Sequence, residues 1–272
     1  MKSGIHFISG LPRSGTTLLS ALLMQNPRFH AGVTTPLYQM VTTLQGQMSA
    51  RSEFYPFFDD DKRRTILRGV FSNYYEKIHP KQLVFDTNRW WTSKLPTIVE
   101  LFPRARMVCC VRSVAWIIDS LERLLRRNAL EPSRIFNFEA TNNVYTRAEA
   151  MNAAGTGLIG APYNGLREAF YGEHSDRLML VTYESLARSP VTTMAAIYEF
   201  LGEEPFGHDF KNLKFETDEY DAGIGMTGLH RVAKVVEFKE RGTILPPDLF
   251  KRFEGTEFWK APNRNPRNVK VV

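Results

Sequence analysis

The sequence predicts an α/β fold of the P-loop-like, three-layer type, with a central parallel sheet flanked by helices. Two observations lead to this prediction. Short apolar runs alternate with helical segments of ten or more residues, which is typical of βαβ units. The first apolar run also leads through a glycine-containing loop directly into a helix. Since no repeat or linker-like stretch interrupts the 272 residues, we expect a single domain over residues 1–272 with an irregular C-terminal cap.

Each element is predicted from its own pattern. Four apolar runs are expected to be strands: Ile5–Ser9, Leu83–Phe85, Arg106–Val111 and Leu178–Thr182. Apolar residues at helical spacing predict helices over Thr17–Met24, Lys62–Ile78, Leu95–Leu101, Val114–Arg127, Thr192–Leu201 and Pro247–Phe253, and a partly helical stretch over Arg147–Tyr171. The third strand is apolar almost throughout, as expected for a strand covered on both faces.

The composition is that of an ordinary soluble globular protein. Hydrophobic residues make up 43% and charged residues 24%, which excludes disorder, collagen and coiled coil as descriptions of the whole chain. The net charge of +6 permits an anionic ligand but is too small to indicate a nucleic-acid partner. We find no signal peptide and no apolar stretch of about 18 residues, and therefore expect a cytoplasmic protein without stable membrane insertion. The sequence leaves open whether the protein forms a homo-oligomer.

The only cysteines are the neighbours Cys109 and Cys110, in the third predicted strand. Adjacent side chains on a strand point to opposite faces, so these two are poorly placed to form a disulfide with each other. We expect both to be small buried hydrophobic residues of a protein in a reducing compartment.

The loop after the first strand has the spacing of a phosphate-binding loop. In Gly10-Leu-Pro-Arg-Ser-Gly15-Thr-Thr17, four residues separate two glycines, and a pair of hydroxyl residues follows. Glycine permits positive φ angles, which let successive N–H groups turn toward an anion. The following helix adds unpaired N–H groups and the positive end of its dipole. We therefore predict phosphate binding, with a purely structural strand-to-helix turn as the alternative.

The same loop differs in sequence from the loop of P-loop nucleoside triphosphatases. Thr16 stands where those proteins carry the lysine that reaches the β- and γ-phosphates, and Arg13 lies inside the loop instead. The most apolar strand ends in Arg112, where a magnesium-binding aspartate would be expected. This pattern favours a highly anionic donor bound without a metal, and it argues against hydrolysis of ATP or GTP.

At this point the residues resemble a known family. Pro12-Arg-Ser-Gly-Thr-Thr-Leu18 resembles the 5′-phosphosulfate loop of sulfotransferases of the bacterial and tyrosylprotein type. Arg112 and Ser120, eight residues apart, resemble the family's 3′-phosphate motif. The resemblance implies 3′-phosphoadenosine 5′-phosphosulfate (PAPS) as the donor, bound by Pro12, Arg13, Ser14, Gly15, Thr16, Thr17, Arg112 and Ser120. Taken alone, Arg112 would equally suit a carboxylate partner, and Ser120 an ordinary helix position.

Two later segments resemble the family less specifically. Tyr183, directly after the fourth strand, is similar to the tyrosine that lies near the adenine. Gly228-Leu-His-Arg-Val-Ala-Lys234 resembles the late basic loop that closes over the nucleotide, and makes Arg231 and Lys234 candidates for the 3′-phosphate. The alternatives are packing for the tyrosine and solvated surface positions for the two cations.

The resemblance implies transfer of a sulfuryl group from PAPS to a hydroxyl of a small molecule, lipid or peptide, leaving adenosine 3′,5′-bisphosphate (PAP). Arg13 is expected to stabilise the charge on the leaving group, and Arg89 to supply a second cation. The family's usual base is missing from both segments where it would stand. Asp86 is the nearest candidate base, with a structural role in the following turn as the alternative. His30 and His79 remain further candidates.

Two other functions stay open. A P-loop kinase or nucleoside triphosphatase would need the loop lysine and the magnesium-binding carboxylate, which are not found in this sequence. A catalytically inactive, nucleotide-binding relative would explain the missing base. Trp90, Trp91 and Trp116 are candidates to line an acceptor pocket, with burial in the core as the alternative.

Overall fold

A six-stranded parallel sheet forms the centre of the molecule. The computed structural model describes residues 4–78, 82–127, 143–223 and 227–272. The strands are β1 (Ile5–Gly10), β2 (Phe29–Ala31), β3 (Leu83–Thr87), β4 (Met107–Val111), β5 (Leu178–Thr182) and β6 (Lys270–Val271). Their order is β2-β3-β1-β4-β5-β6, with every neighbouring pair parallel. The predicted α/β class with a central parallel sheet is confirmed.

Helices connect the strands and cover the sheet. They are α1 (Thr16–Leu23), α2 (Leu37–Gln47), α3 (Asp60–Tyr74), α4 (Leu95–Leu101), α5 (Val114–Arg127), α6 (Val144–Asn152), α7 (Gly160–Tyr171), α8 (Tyr183–Arg188), α9 (Pro190–Leu201), α10 (Asp218–Gly223) and α11 (Pro247–Phe253). Helix α3 begins two residues before the predicted start because Asp59 caps it, accepting a hydrogen bond from the Lys62 amide at 2.7 Å. Among the described residues, no helix has the length and apolar character needed to cross a bilayer.

The two faces of the sheet pack against separate hydrophobic clusters. Phe7 and Val84 belong to one cluster, whereas their strand neighbours Ile8 and Phe85 belong to the other. This alternation follows from the period of two along a strand. Cys109 and Cys110 divide in the same way, and both are free and fully buried. Their predicted placement on opposite faces is therefore confirmed.

The C-terminal segment is held to the rest of the molecule by a buried carboxylate in α5. Asp119 is fully buried and accepts hydrogen bonds from the Ile244 amide at 2.8 Å and from Arg241 at 2.7 Å. The chain then returns to the sheet, where β6 pairs with β5. The predicted irregular cap thus ends in a strand, which at two residues is too short to leave a periodic signal.

Candidate active site

A cavity of about 1040 Å³ opens at the carboxyl ends of the central strands. The strands that follow β1 in the chain, β2 and β3, lie on one side of it in the sheet, whereas β4 lies on the other side. The sheet therefore has its topological switch point between β1 and β4. Ligands of doubly wound sheets bind in the crevice at such a point. The lining includes the loop after β1, residues 87–90 at the end of β3, Arg112 after β4 and Tyr183 after β5.

Two glycines shape the loop after β1. At Gly10 an added Cβ would lie 2.4 Å from the Cys110 carbonyl oxygen, so only glycine lets the loop pass this close to β4. Gly15 has a φ of 100° and precedes the first residue of α1, whose N-terminus has no side-chain cap. Thr16 and Thr17, in the first turn of α1, line the cavity. Uncapped N–H groups at a helix N-terminus form an anion site.

Arg13 joins three segments around the cavity. It adopts a φ of 57°, which is uncommon for a residue other than glycine. Its Nε donates to the Ser120 hydroxyl on α5 at 3.2 Å, and its Nη1 donates to the Leu229 carbonyl. Arg13 and Ser120, 107 residues apart in the sequence, are therefore brought together.

Arg112 lies beside Arg13 and has few partners of its own. Its guanidinium carbon lies 4.3 Å from the centre of the Tyr183 ring, and its Nη1 lies 3.5 Å from the Arg13 carbonyl oxygen. Its Nε is buried without a hydrogen-bond partner among the described residues, and the Glu184 carboxylate is 4.0 Å away. A buried, unpartnered N–H of a cation is costly unless a ligand accepts from it.

The two arginines form a concentrated positive charge. Burial and the charge of Arg112 lower the pKa of Arg13. Burial likewise lowers the pKa of Arg112, although Tyr183 and Glu184 oppose the effect. Guanidinium groups stay protonated at neutral pH in spite of such shifts. The arrangement therefore suits a ligand that brings several negative charges.

Of the other predicted donor-site residues, some line the cavity and others do not. Pro12, Tyr183 and Arg231 line the cavity. The Ser14 hydroxyl lies 2.5 Å from the Leu11 carbonyl oxygen and 2.8 Å from that of Cys110, so it ties the loop to β4 and turns away from the cavity. Lys234 is exposed and lies outside the cavity lining. The site residues that converge are thus those of the loop, β4, β5 and the segment near residue 230.

Asp86 is placed for a structural role. It is fully buried and accepts hydrogen bonds from Tyr75 at 2.6 Å, Trp91 at 2.6 Å and Thr35 at 2.9 Å. Burial raises the pKa of this carboxyl, although all three hydrogen bonds oppose the effect. Its side chain does not line the cavity. This placement favours the structural alternative over the role of base, because no acceptor hydroxyl can reach a carboxylate enclosed by three donors.

Arg89, which was expected to supply a second cation, lines the cavity. Its neighbour Trp90 also lines the cavity, whereas Trp91 is part of the core. His30 lies in β2, outside the cavity lining, with its ring 6.0 Å from that of Tyr75. His79 lies outside the described residues. Among the described residues, no group of three His, Cys, Asp or Glu side chains is placed to hold a metal ion.

The sequence reasoning missed a histidine that lines the cavity. His230 lies in the segment resembling the late basic loop, where only the cations Arg231 and Lys234 were considered. Its Nδ1 lies 2.6 Å from Oδ1 of Asp221, and its backbone amide donates to Oδ2 at 2.8 Å. The available signal was a histidine directly before Arg231, but its carboxylate partner nine residues away follows no periodic pattern.

A sequence model of a protein family agrees with this geometry. The model described as "Sulfotransferase family" matches residues 6–207. The chain belongs to the sulfotransferase family. The match contains the loop after β1, Arg112 and Tyr183, and it ends before the segment that carries His230. Family membership makes the protein a transferase and supports sulfuryl transfer as its general activity.

Solved sulfotransferase structures share the fold of this family member. The sulfotransferase domain from the curacin biosynthetic pathway matches with a TM-score of 0.50 and 21% sequence identity, covering 75% of each chain. A sulfotransferase from Alicyclobacillus acidocaldarius matches with a TM-score of 0.51 and 15% identity, covering 83% of this chain and 92% of the other. At these identities the likeness shows the fold alone. No curated protein sequence matched the chain.

Proposed function

We propose that this sulfotransferase uses PAPS as its donor, transfers the sulfuryl group to a hydroxyl of a small molecule, lipid or peptide, and leaves PAP. The observation that carries the proposal is the buried, unpartnered Nε of Arg112 in the same cavity as the uncapped N-terminus of α1. The cavity thus offers two positive sites. PAPS has two anionic groups at opposite ends of one nucleoside, which accounts for both sites.

The 5′-phosphosulfate belongs at the loop after β1. Backbone N–H groups of the loop and of the first turn of α1 supply donors, with the Thr16 and Thr17 hydroxyls beside them. Ser14 contributes its backbone, since its hydroxyl is engaged with carbonyl groups. Arg13 adds positive charge next to these donors. Such an arrangement stabilises negative charge on the phosphate as it departs.

The 3′-phosphate belongs at Arg112. Ser120 is connected to this region through Arg13, and Arg231 lines the same cavity. Tyr183 lies under the Arg112 guanidinium, which orients the cation, and the tyrosine lines the same cavity. Lys234 is exposed outside the lining, so we expect it to contribute less than Arg231.

The chemistry is mainly positioning and charge stabilisation. Sulfuryl transfer places the attacking oxygen, the sulfur and the leaving oxygen roughly in line, as phosphoryl transfer does. Arg13 and the loop face the leaving phosphate, and Arg89 supplies a second cation at the cavity. Losing one such stabilising group typically costs about a hundredfold to a thousandfold in rate.

The acceptor would occupy the less polar part of the cavity. The apolar members of the lining include Trp90, Leu121, Met151 and Leu158. At about 1040 Å³ the cavity is slightly larger than the usual range for small-molecule sites, about 300–1,000 Å³, and leaves room for an acceptor beside the nucleotide. Donor-site groups come from β1, β4, β5 and the segment near residue 230, which supports a single functional domain.

Calorimetric titration tests the donor. PAP should bind without magnesium, and adenosine 5′-monophosphate, which lacks only the 3′-phosphate, should bind at least tenfold more weakly. ATP with and without magnesium is the comparison ligand. Magnesium-dependent binding of ATP in preference to PAP would overturn the proposal in favour of a kinase or triphosphatase. Binding of PAP without turnover of PAPS by any acceptor or by water would indicate an inactive relative.

A further inference from the structure

We propose that His230, held by Asp221, is the general base that takes the proton from the acceptor hydroxyl. The inference rests on the proposed function, because it assigns a role within the same cavity. It differs from the expectation for Asp86, whose carboxylate is enclosed by three donors and does not reach the cavity.

The geometry fixes which nitrogen of His230 is free. Asp221 is fully buried. Its Oδ1 lies 2.6 Å from Nδ1 of His230, and its Oδ2 accepts a hydrogen bond from the backbone amide of the same residue at 2.8 Å. A carboxylate accepts hydrogen bonds, so Nδ1 carries the hydrogen of the neutral ring. The lone pair is then on Nε2, which has no hydrogen-bond partner among the described residues, and the ring lines the cavity.

The surroundings keep the imidazole neutral. Burial lowers the pKa of His230 below 6.5, and the charges of Arg13 and Arg89 lower it further, whereas Asp221 raises it. The Tyr220 ring packs beside the imidazole at 5.5 Å. The histidine is therefore neutral and able to accept a proton at neutral pH. Once it is protonated, Asp221 stabilises the imidazolium without taking the proton itself.

The other titratable groups of the described lining fit the role less well. Glu237 is the only carboxylate that the described residues contribute to the lining, and it is exposed and paired with Lys239 at 2.7 Å. Tyr183 lies against Arg112, and Tyr220 has 40% of its surface exposed. A neutral phenol must first lose its own proton to act as a base, whereas the Nε2 lone pair of a neutral imidazole is already available.

The segment that carries His230 is attached to the donor loop. Arg13 donates to the carbonyl of Leu229, the residue before His230. The base is thus positioned by the same side chain that lies beside the leaving phosphate. In the transfer step, the acceptor oxygen bonds to sulfur as its proton moves to Nε2 of His230. The bond between sulfur and the phosphate oxygen breaks, and its electron pair leaves with PAP.

The test compares wild type with His230→Gln, Asp221→Asn and the control His174→Gln, which alters a histidine outside the cavity lining. Calorimetry gives the Kd for PAP, and thermal melting checks the fold. Turnover of labelled PAPS is followed under single-turnover conditions with 1-hexanol and water as acceptors. We expect His230→Gln to lower turnover by about 10²- to 10⁴-fold, the usual contribution of general-base catalysis, with the Kd for PAP changed less than about threefold.

The pH profile separates a catalytic from a merely structural role. Wild-type turnover should fall in acid as His230 becomes protonated, and this acid limb should be absent in His230→Gln. Removing the Asp221 charge lowers the pKa of His230, so the limb should move to lower pH in Asp221→Asn. Imidazole ¹⁵N spectra of the wild-type PAP complex should show a bare Nε2 and a protonated Nδ1.

Two outcomes would overturn the inference and leave the proposed function standing. They are a proton on Nε2 with Nδ1 bare, and turnover in His230→Gln equal to that of the control. A wild type that binds PAP but does not turn over PAPS with any acceptor would refute the transfer step of the proposed function, and the inference with it. Absence of PAP binding to the wild type would refute the proposed donor site as well.

Discussion

Replacing Arg112 by methionine removes a guanidinium from the donor site while keeping most of the apolar length of the side chain. In the wild type the guanidinium lies 4.3 Å from the centre of the Tyr183 ring, and its Nε is buried without a hydrogen-bond partner among the described residues. Methionine preserves contact with the ring, so we expect the variant to fold. The measured effect then reports the loss of charge and N–H donors.

The expected loss of PAP affinity follows from hydrogen bonds between a cation and a phosphate. Such bonds contribute about 1.5–3 kcal/mol, which corresponds to a change of about 10- to 150-fold in Kd. Removing Arg112 also relieves its repulsion of Arg13, whose pKa it lowers. This repulsion is present with and without the ligand and largely cancels in the binding free energy, so we expect the full range of about 10- to 150-fold.

Calorimetric titration of PAP and of adenosine 5′-monophosphate measures this difference, because the two ligands differ only in the 3′-phosphate. Affinity for the monophosphate should change less than about threefold. Arg252→Met is the matched control, since Arg252 is exposed and pairs with Glu149 at 3.0 Å, outside the cavity lining. Equal losses for both ligands would refute the assignment of Arg112 to the 3′-phosphate. An unchanged Kd for PAP would remove Arg112 from the donor site altogether.

Two further predictions concern stability. Asp119→Ala leaves Arg241 and the Ile244 amide without their buried carboxylate, so urea unfolding should show a loss of about 3–5 kcal/mol, and a loss below about 1 kcal/mol would contradict the structural role. His6 is buried, accepts from the Arg106 amide at 3.0 Å, and has a pKa lowered from 6.5 to about 4 by burial. The unfolded chain therefore binds the proton first as pH falls, and stability should drop by about 3 kcal/mol between pH 6.5 and 4, a drop that His6→Gln should abolish.

The central part of the fold was predictable because its signals are local. β1, the loop after it and α1 each leave a pattern within a few residues, and the structure has all three. β2 was not predicted, because three residues are too few for alternation to show, and its pairing with β3 is set by tertiary contacts. The same holds for the two residues of β6.

The candidate site was predictable only where it follows strand ends. Parallel strands bring their carboxyl ends to one edge, which is why Arg112 and Tyr183 could be placed beside the loop. Asp86 also lies near a strand end, but its side chain shares the face of Val84 and packs against Tyr75. The contact between Asp221 and His230 depends on the path of the irregular segment between them. No periodic pattern in the sequence predicts that path.

The two hydrogen bonds of Arg13 restrict which residues position 13 can tolerate. Arg13 engages Nε with Ser120 and Nη1 with Leu229, and in the described part of the molecule this leaves Nη2 for a ligand. A lysine would bring the same charge on a single nitrogen, at the end of a flexible stem. It would lack the planar fork that reaches two protein segments and a ligand at once. In this chain the loop is therefore matched to arginine by shape, and a substitution that only conserves charge would not reproduce both hydrogen bonds together with a nitrogen free for the ligand.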